Sequence, residues 1–285
     1  MTEYLKLDNM TLEDGIYHAK NIPDSSELDM PEEGLDMLDP LNHTSFWHKH
    51  RADCIVRTLE NFMPPDTGWF ADVGGGNGYI AKCIADAGYE VALFEPAYAG
   101  VMNAKNRGVK NIVWGLLDAS TVEKGSISAI GLFDVLEHIE NDKEFISSFF
   151  SLLDEKGKII ITVPAHSYLW SSKDDYGLHK RRYSLMQLKK IFLENDFDVV
   201  YETYFFSFLL PPVFFLNALP YKLFGKKNDA TQPNRIPIKH VEKTCAEHRR
   251  KGKVLDIVLA YEKMLIKKKI RLPFGASILM VAEKT

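Results

Sequence analysis

Apolar residues in this chain fall into two kinds of pattern that alternate with some regularity. Short, nearly unbroken runs at 69–73, 90–95, 111–115, 127–133, 158–163, 197–206 and 276–282 read as strands buried on both faces. Between them, helix-spaced stripes occupy 45–62, 78–87, 97–107, 141–153 and 184–194, with one more at 253–266. Strands that alternate with helices imply a parallel sheet covered on both sides. The pattern therefore predicts an α/β fold with a doubly wound, mostly parallel sheet of seven strands.

Two stretches do not fit that rhythm. The final strand comes some seventy residues after its predecessor, so a helical insertion at 207–272 precedes it. The insertion begins within an uncharged run from Tyr204 to Tyr221 that carries three prolines, and Lys222, Lys226 and Lys227 follow. A regular bilayer span wants about 20 apolar residues, and this run is short and broken by comparison. Segment 204–227 suits a peripheral contact with an anionic membrane, the roof of an apolar pocket, or a subunit contact. The other exception is the start. Residues 1–44 are acidic and proline-bearing, and they read as a loose arm with one short helix at most. The domain reading is thus an arm at 1–44, a core at 45–206, the insertion at 207–272 and a returning core strand at 273–285.

Charge adds an asymmetry to this picture. The net charge is −4, yet residues 222–271 hold 15 Lys/Arg against 5 Asp/Glu, while residues 1–40 hold 11 acidic groups against Lys6 and Lys20. The two ends could pair with each other, face phosphate-bearing partners, or simply be solvated. A chain that is acidic overall, with one short basic cluster near 180–182, lacks the broad positive face a duplex needs, so no nucleic-acid partner is expected. Cys54, Cys83 and Cys245 are too few and too scattered for a disulfide framework or zinc knuckle. The first residues, MTEYLKLDNM, do not resemble a secretory signal. The expectation is a cytoplasmic protein, with membrane association open through the apolar segment.

Candidate chemistry concentrates where the first buried run ends, at Asp72-Val73-Gly74-Gly75-Gly76-Asn77-Gly78. Glycines between a strand and a helix let backbone N–H groups approach a nucleotide-like ligand. A dinucleotide fingerprint reads G-x-G-x-x-G, and here Tyr79 stands where its third glycine would fall. The Asp72 carboxylate would repel a diphosphate, but it could accept hydrogen bonds from a zwitterionic amino-acid group. Those two features favour S-adenosylmethionine over NAD.

With Gly74, Gly76 and Gly78 spaced behind Asp72, the chain resembles class I S-adenosylmethionine-dependent methyltransferases of the small-molecule and lipid type. The resemblance spans 45–206 and the last strand. It implies that the glycine loop wraps the methionine part of the cofactor and that Glu95, ending Val91-Ala92-Leu93-Phe94-Glu95, accepts the ribose hydroxyls. It further implies that Asp118 in Gly115-Leu116-Leu117-Asp118 meets the adenine amino group. Taken without the family, Asp118 reads equally well as a turn or cap residue.

The segment Leu132-Phe133-Asp134-Val135-Leu136-Glu137-His138 resembles the family's D-x-L-E-H stretch, which places Phe133 on the cofactor side and Glu137 and His138 near the reaction centre. His138 could take a proton from a hydroxyl or amine acceptor while Glu137 orients it. Packing or capping is an equal reading of His138. Two such ligands fall short of a metal site, so no metal is expected. His166, after the fifth core strand, and the loop running through His179, Arg182 and Tyr183 resemble the border of the acceptor pocket. Phe46-Trp47-His48-Lys49-His50-Arg51 resembles a family segment that folds over the cofactor, and it reads equally as the start of an ordinary amphipathic helix. The function implied is methyl transfer to a small-molecule or lipid-linked acceptor. An NAD(P)-dependent oxidoreductase and a non-catalytic membrane- or protein-binding module stay as alternatives.

Overall fold

Seven strands form where the apolar runs lie: β3 (Trp69–Val73), β4 (Glu90–Glu95), β5 (Asn111–Trp114), β6 (Ile127–Phe133), β7 (Leu153–Pro164), β8 (Phe197–Phe205) and β9 (Ser277–Lys284). The computed structural model describes residues 2–23, 45–224 and 252–285. Strands β5, β4, β3, β6 and β7 pair side by side in parallel. Strand β9 then inserts antiparallel between β7 and β8.

The N-terminal reading needs correction. Residues 10–19 are not a loose arm; they form a hairpin of β1 (Met10–Glu13) and β2 (Ile16–Ala19), and β2 adds to β5 in parallel. The sheet therefore has nine strands, in the order β1-β2-β5-β4-β3-β6-β7-β9-β8. Asp14 and Gly15 both take positive φ, 49° and 79°, which matches the right-handed twist of the flanking strands in a two-residue hairpin loop. Burial of Met10, Ile16 and Ala19 holds the hairpin to the core. The rest of the expected arm, 24–44, lies outside the described residues.

Period-two alternation sends strand side chains to two cores. Trp69, Ala71 and Val73 enter one, shared with α4 (Asp142–Phe149) and α6 (Leu185–Leu193) through Phe149, Leu188 and Phe192. Phe70 points the other way, toward α1 (Phe46–Phe62), α2 (Tyr79–Asp86) and α3 (Tyr98–Arg107). The stripe expected at 141–153 ends early, because Leu153 already pairs with Ile127 as the start of β7.

Helix α1 begins at Ser45, whose hydroxyl accepts from the Trp47 and His48 N–H groups, and it stops ahead of Pro64-Pro65. A short helix, α5 (Ser172–Tyr176), lies between β7 and α6. In the expected insertion, Ser207–Phe224 is helical in 3-10, α and π turns, and α7 (Lys253–Lys267) packs along α1. Residues 225–251, with Cys245 and much of the basic stretch, lie outside the described residues.

A buried polar cluster fastens these pieces together. Glu262 of α7 accepts from the Phe206 and Ser207 N–H groups at 2.8 Å each and pairs with His50 of α1 at 2.6 Å. Phe206, held at φ 56°, stacks on Trp47 with ring centroids 3.7 Å apart.

Candidate active site

Strand β3 has β4 on one side and β6 on the other, so the sheet order reverses here and ligands are expected beyond the strand ends. The turn after β3 has Gly74, Gly76 and Gly78 at φ 63°, 53° and 68°, a region that L side chains rarely adopt. Space adds a second constraint. A Cβ on Gly78 would lie 2.6 Å from the Ala104 Cβ, so its absence lets α2 approach α3. One on Gly75 would meet the Asp72 Oδ2 at 2.6 Å.

Asp72 is fully buried, and neither carboxylate oxygen has a hydrogen-bond partner. Burial pushes its carboxyl up to about 7, against the pull of Arg51. A buried, unpaired carboxylate beside a glycine turn is an acceptor awaiting a donor. Glu95, at the end of β4, is held at the same turn. Its Oε2 accepts from the Gly76 N–H and its Oε1 from the Ala97 N–H, both at 2.8 Å. Burial raises this carboxyl too, to about 7, and the two N–H groups oppose that.

Asp118 sits in a turn after β5 and is engaged within it. Its Oδ1 accepts from the Ser120 N–H at 2.7 Å and its Oδ2 from the Asn21 amide at 2.8 Å, which ties the N-terminal hairpin to this edge. Burial opposes its ionisation, but these hydrogen bonds win and its carboxyl lies below the usual value. Phe133 departs further from expectation. It is 6% exposed and packs on Phe70 at 6.2 Å beneath Gly131, so its side chain belongs to the core.

Beyond β6 the chain turns through Asp134, which holds a positive φ of 58°. The Thr162 hydroxyl donates to its Oδ1 at 2.9 Å, and Arg51 of α1 forms an ion pair with its Oδ2. Sequence reading passed over Arg51 as a site residue, although the F-W-x-x-x-R spacing was the available signal. The aromatic members of that segment pack between helices, as Trp47 does on Phe206, while Arg51 reaches the strand ends. Burial lowers the Arg51 guanidinium below its ordinary value, with Glu137 and Asp72 opposing.

Glu137 follows in a 3-10 turn, fully buried, with both oxygens unpartnered. Burial pushes its carboxyl up to about 8. His138 lies beside it and meets His179 edge to face, ring centroids 4.9 Å apart. The structure thus gathers Glu137, His138 and His179 from two distant segments.

Two expected acceptor contacts turn inward instead. The Nε and Nη2 of Arg182 donate to Asp174 at 2.6 and 3.0 Å, and its Nη1 donates to the Ala165 carbonyl. Tyr183 is 3% exposed, and its hydroxyl donates to the Leu136 carbonyl and bonds Asp142. Both residues brace the loop through these bonds. His166 is different. It lies between Tyr168 and Tyr204, with centroids 4.9 Å away on each side, and its Nε2 is unpartnered.

Residues 46–202 match a protein family described as a methyltransferase domain. A comparison with curated proteins gives no match. Among solved structures, the fold is similar to Haemonchus contortus phosphoethanolamine N-methyltransferase 2 in complex with S-adenosyl-L-methionine. The TM-score is 0.56 at 16% identity, covering 94% of this chain and 61% of that one. The chain thus spans less than two thirds of that enzyme's length. The cyclase SpnF is similar at a TM-score of 0.51 and 14% identity, covering 93% and 98% of the two chains, so the shared architecture alone does not fix the chemistry. The family match covers more than half of the chain and contains the glycine turn, Asp72, Glu95 and Glu137. The chain therefore belongs to the methyltransferase-domain family.

Proposed function

We propose that the acceptor is a small-molecule or lipid-linked hydroxyl or amine, methylated by in-line displacement between the glycine turn and the Glu137-His138 segment. The observation that carries this reading is the pair of buried, unpartnered carboxylates, Asp72 and Glu137, at the carboxyl ends of neighbouring strands β3 and β6. One faces the donor's amino-acid end and the other the acceptor. The Gly74 to Gly78 turn cups the methionine part, Glu95 takes the ribose hydroxyls, and Asp118 marks the adenine end.

In the transfer, a lone pair on the acceptor oxygen or nitrogen forms the new bond to the methyl carbon. The carbon–sulfur bond breaks, its electron pair stays on sulfur, and S-adenosylhomocysteine leaves. The acceptor proton passes to His138. The protein supplies alignment and exclusion of water, which dominate such displacements. His166 and His179 border the acceptor. His138→Ala is expected to keep S-adenosylhomocysteine affinity by calorimetry and to lower single-turnover methyl transfer at least tenfold. Unchanged turnover would return His138 to a packing role, and a wild-type protein that binds no S-adenosylhomocysteine would favour the non-catalytic module.

A lipid-linked acceptor is supported by the apolar segment. Ser207–Phe224 is long and apolar enough to cross a membrane by length and composition, but its mixed helical turns suit a peripheral contact better. Phe215, Leu216, Leu223 and Phe224 are 61–82% exposed next to Lys222. The Tyr221 hydroxyl bonds Asp175 at 2.5 Å, joining the segment to the acceptor loop. A cytoplasmic enzyme that touches the membrane through this segment is the corresponding proposal for location. Co-flotation with anionic vesicles is expected for the full chain and should be lost in a Phe215→Ser, Leu216→Ser double variant; flotation unchanged by those substitutions would point to a pocket roof instead.

A further inference from the structure

We propose that Glu137, His138 and His179 form a binding site for a divalent first-row transition metal on the acceptor side of the cleft. One ligand atom from each of the three residues lies within 4.8 Å of the other two. Two imidazoles and one carboxylate form a donor set suited to Zn²⁺, Fe²⁺ or Co²⁺, and three protein ligands leave coordination positions open.

Three further observations support a site rather than a chance cluster. Glu137 is fully buried with neither oxygen partnered, so it lacks the donor or cation that a desolvated carboxylate needs. The nearby guanidiniums do not supply one, because Arg51 is paired with Asp134 and Arg182 with Asp174. A cation is the missing partner.

The second observation is the orientation of His179. Its Nδ1–H donates to the Asp174 Oδ1 at 3.0 Å, which fixes the tautomer and leaves Nε2 as the free ligand atom. Asp174 is itself held at 0% exposure by Arg182 and by the Ser171 N–H at 2.8 Å. A buried carboxylate behind a metal-ligating histidine is the usual outer support of such centres. The third observation is room at Gly177. A Cβ there would come within 2.9 Å of the His179 Nε2, crowding the very atom that has to bind.

Closing the ligands onto one ion requires contraction from 4.8 Å, and His138 and His179, which are only half-buried, can rotate to supply it. Metal binding itself does not depend on the methyl-transfer reading. The ion's task does rest on that reading: an oxygen of the acceptor would complete the coordination and be held toward the donor, and with the ion bound His138 is a ligand and not the base, so the acceptor oxygen, acidified by the ion, would lose its proton to solvent.

The test is calorimetric titration of the tag-free full chain with Zn²⁺, together with Co²⁺ absorption in the visible. One equivalent of metal is expected, and His179→Ala and Glu137→Gln should each weaken its affinity at least tenfold and remove the Co²⁺ bands. S-adenosylhomocysteine binding should be unchanged in both variants, which reports that they are folded with the donor site intact. If Glu137→Gln fails to fold, His179→Ala carries the test, since that ring is partly exposed. A wild-type protein that takes up no stoichiometric metal, or uptake unchanged in either folded variant, overturns the proposal. Metal uptake without S-adenosylhomocysteine binding would leave this site standing and overturn the methyl-transfer reading instead.

Discussion

Glu262→Ala is expected to destabilise the protein by about 3–5 kcal/mol, because it strands a buried, hydrogen-bonded histidine and two backbone donors at once. His50 and Glu262 are 2% and 1% exposed, so solvent cannot replace the lost carboxylate. The same side chain accepts from the Phe206 and Ser207 N–H groups, where the chain leaves β8 for the apolar segment. The damage should therefore spread. Thermal unfolding would show the loss of stability, and hydrogen exchange should show new opening at 206–209 and along α7. A melting midpoint within a degree of wild type would mean that the cluster relaxes at no cost. Burial alone would raise the Glu262 carboxyl, yet its partners pull it below the ordinary value. Its contribution is accordingly present above the unfolded-state value and fades as pH falls through the lower folded one.

Asp72→Asn is expected to move two observables in opposite directions. In the ligand-free protein the substitution removes the cost of burying a charge with no partner. The Asp72 carboxyl rises from 3.8 to about 7 on folding, so the folded state keeps its proton while the unfolded chain has lost it. Wild-type stability from this group is complete below about 4 and is lost as pH rises toward 7. Asparagine does not titrate. The variant should therefore gain on wild type across that interval, a gain read as a difference in melting midpoint at the two ends. Cofactor affinity should fall in the same variant, by on the order of 2 kcal/mol, or about thirtyfold, because a charge-assisted hydrogen bond to the donor's amino group is gone. A variant equal to wild type in calorimetric affinity would remove Asp72 from the donor site.

Much of this architecture could be read in advance from local pattern. The runs at 69–73, 90–95 and 127–133 coincide with β3, β4 and β6 residue for residue, because strands buried on both faces leave little freedom in sequence. The hairpin at 10–19 was hidden by its acidic surroundings and by strands only four residues long, although Asp14-Gly15 is a strong two-residue turn signal. Within the site, the glycine turn after β3 and the place of Glu95 at the end of β4 were legible because each is local to one strand end. What could not be read was pairing across the chain. Arg182 has the chemistry of an anion clamp, and only the fold shows that Asp174 occupies it. Arg51 and Asp134 lie on different elements and meet only once α1 crosses the strand ends. The approach of His179 to Glu137 and His138 is of the same kind, set by how the loop after β7 folds back.

The position of β9 carries a consequence for biosynthesis. Strand β8 pairs with β9 and not with β7, so after translation of residue 205 the nascent sheet has a gap that stays open until residues 277–284 leave the ribosome. Throughout that interval the unpaired edges of β7 and β8 and the bare apolar run at 204–221 are exposed together. Cells making this protein should thus depend on holding chaperones in a window set by ribosome speed, and slower decoding between codons 206 and 276 should lower the soluble yield without altering the finished molecule.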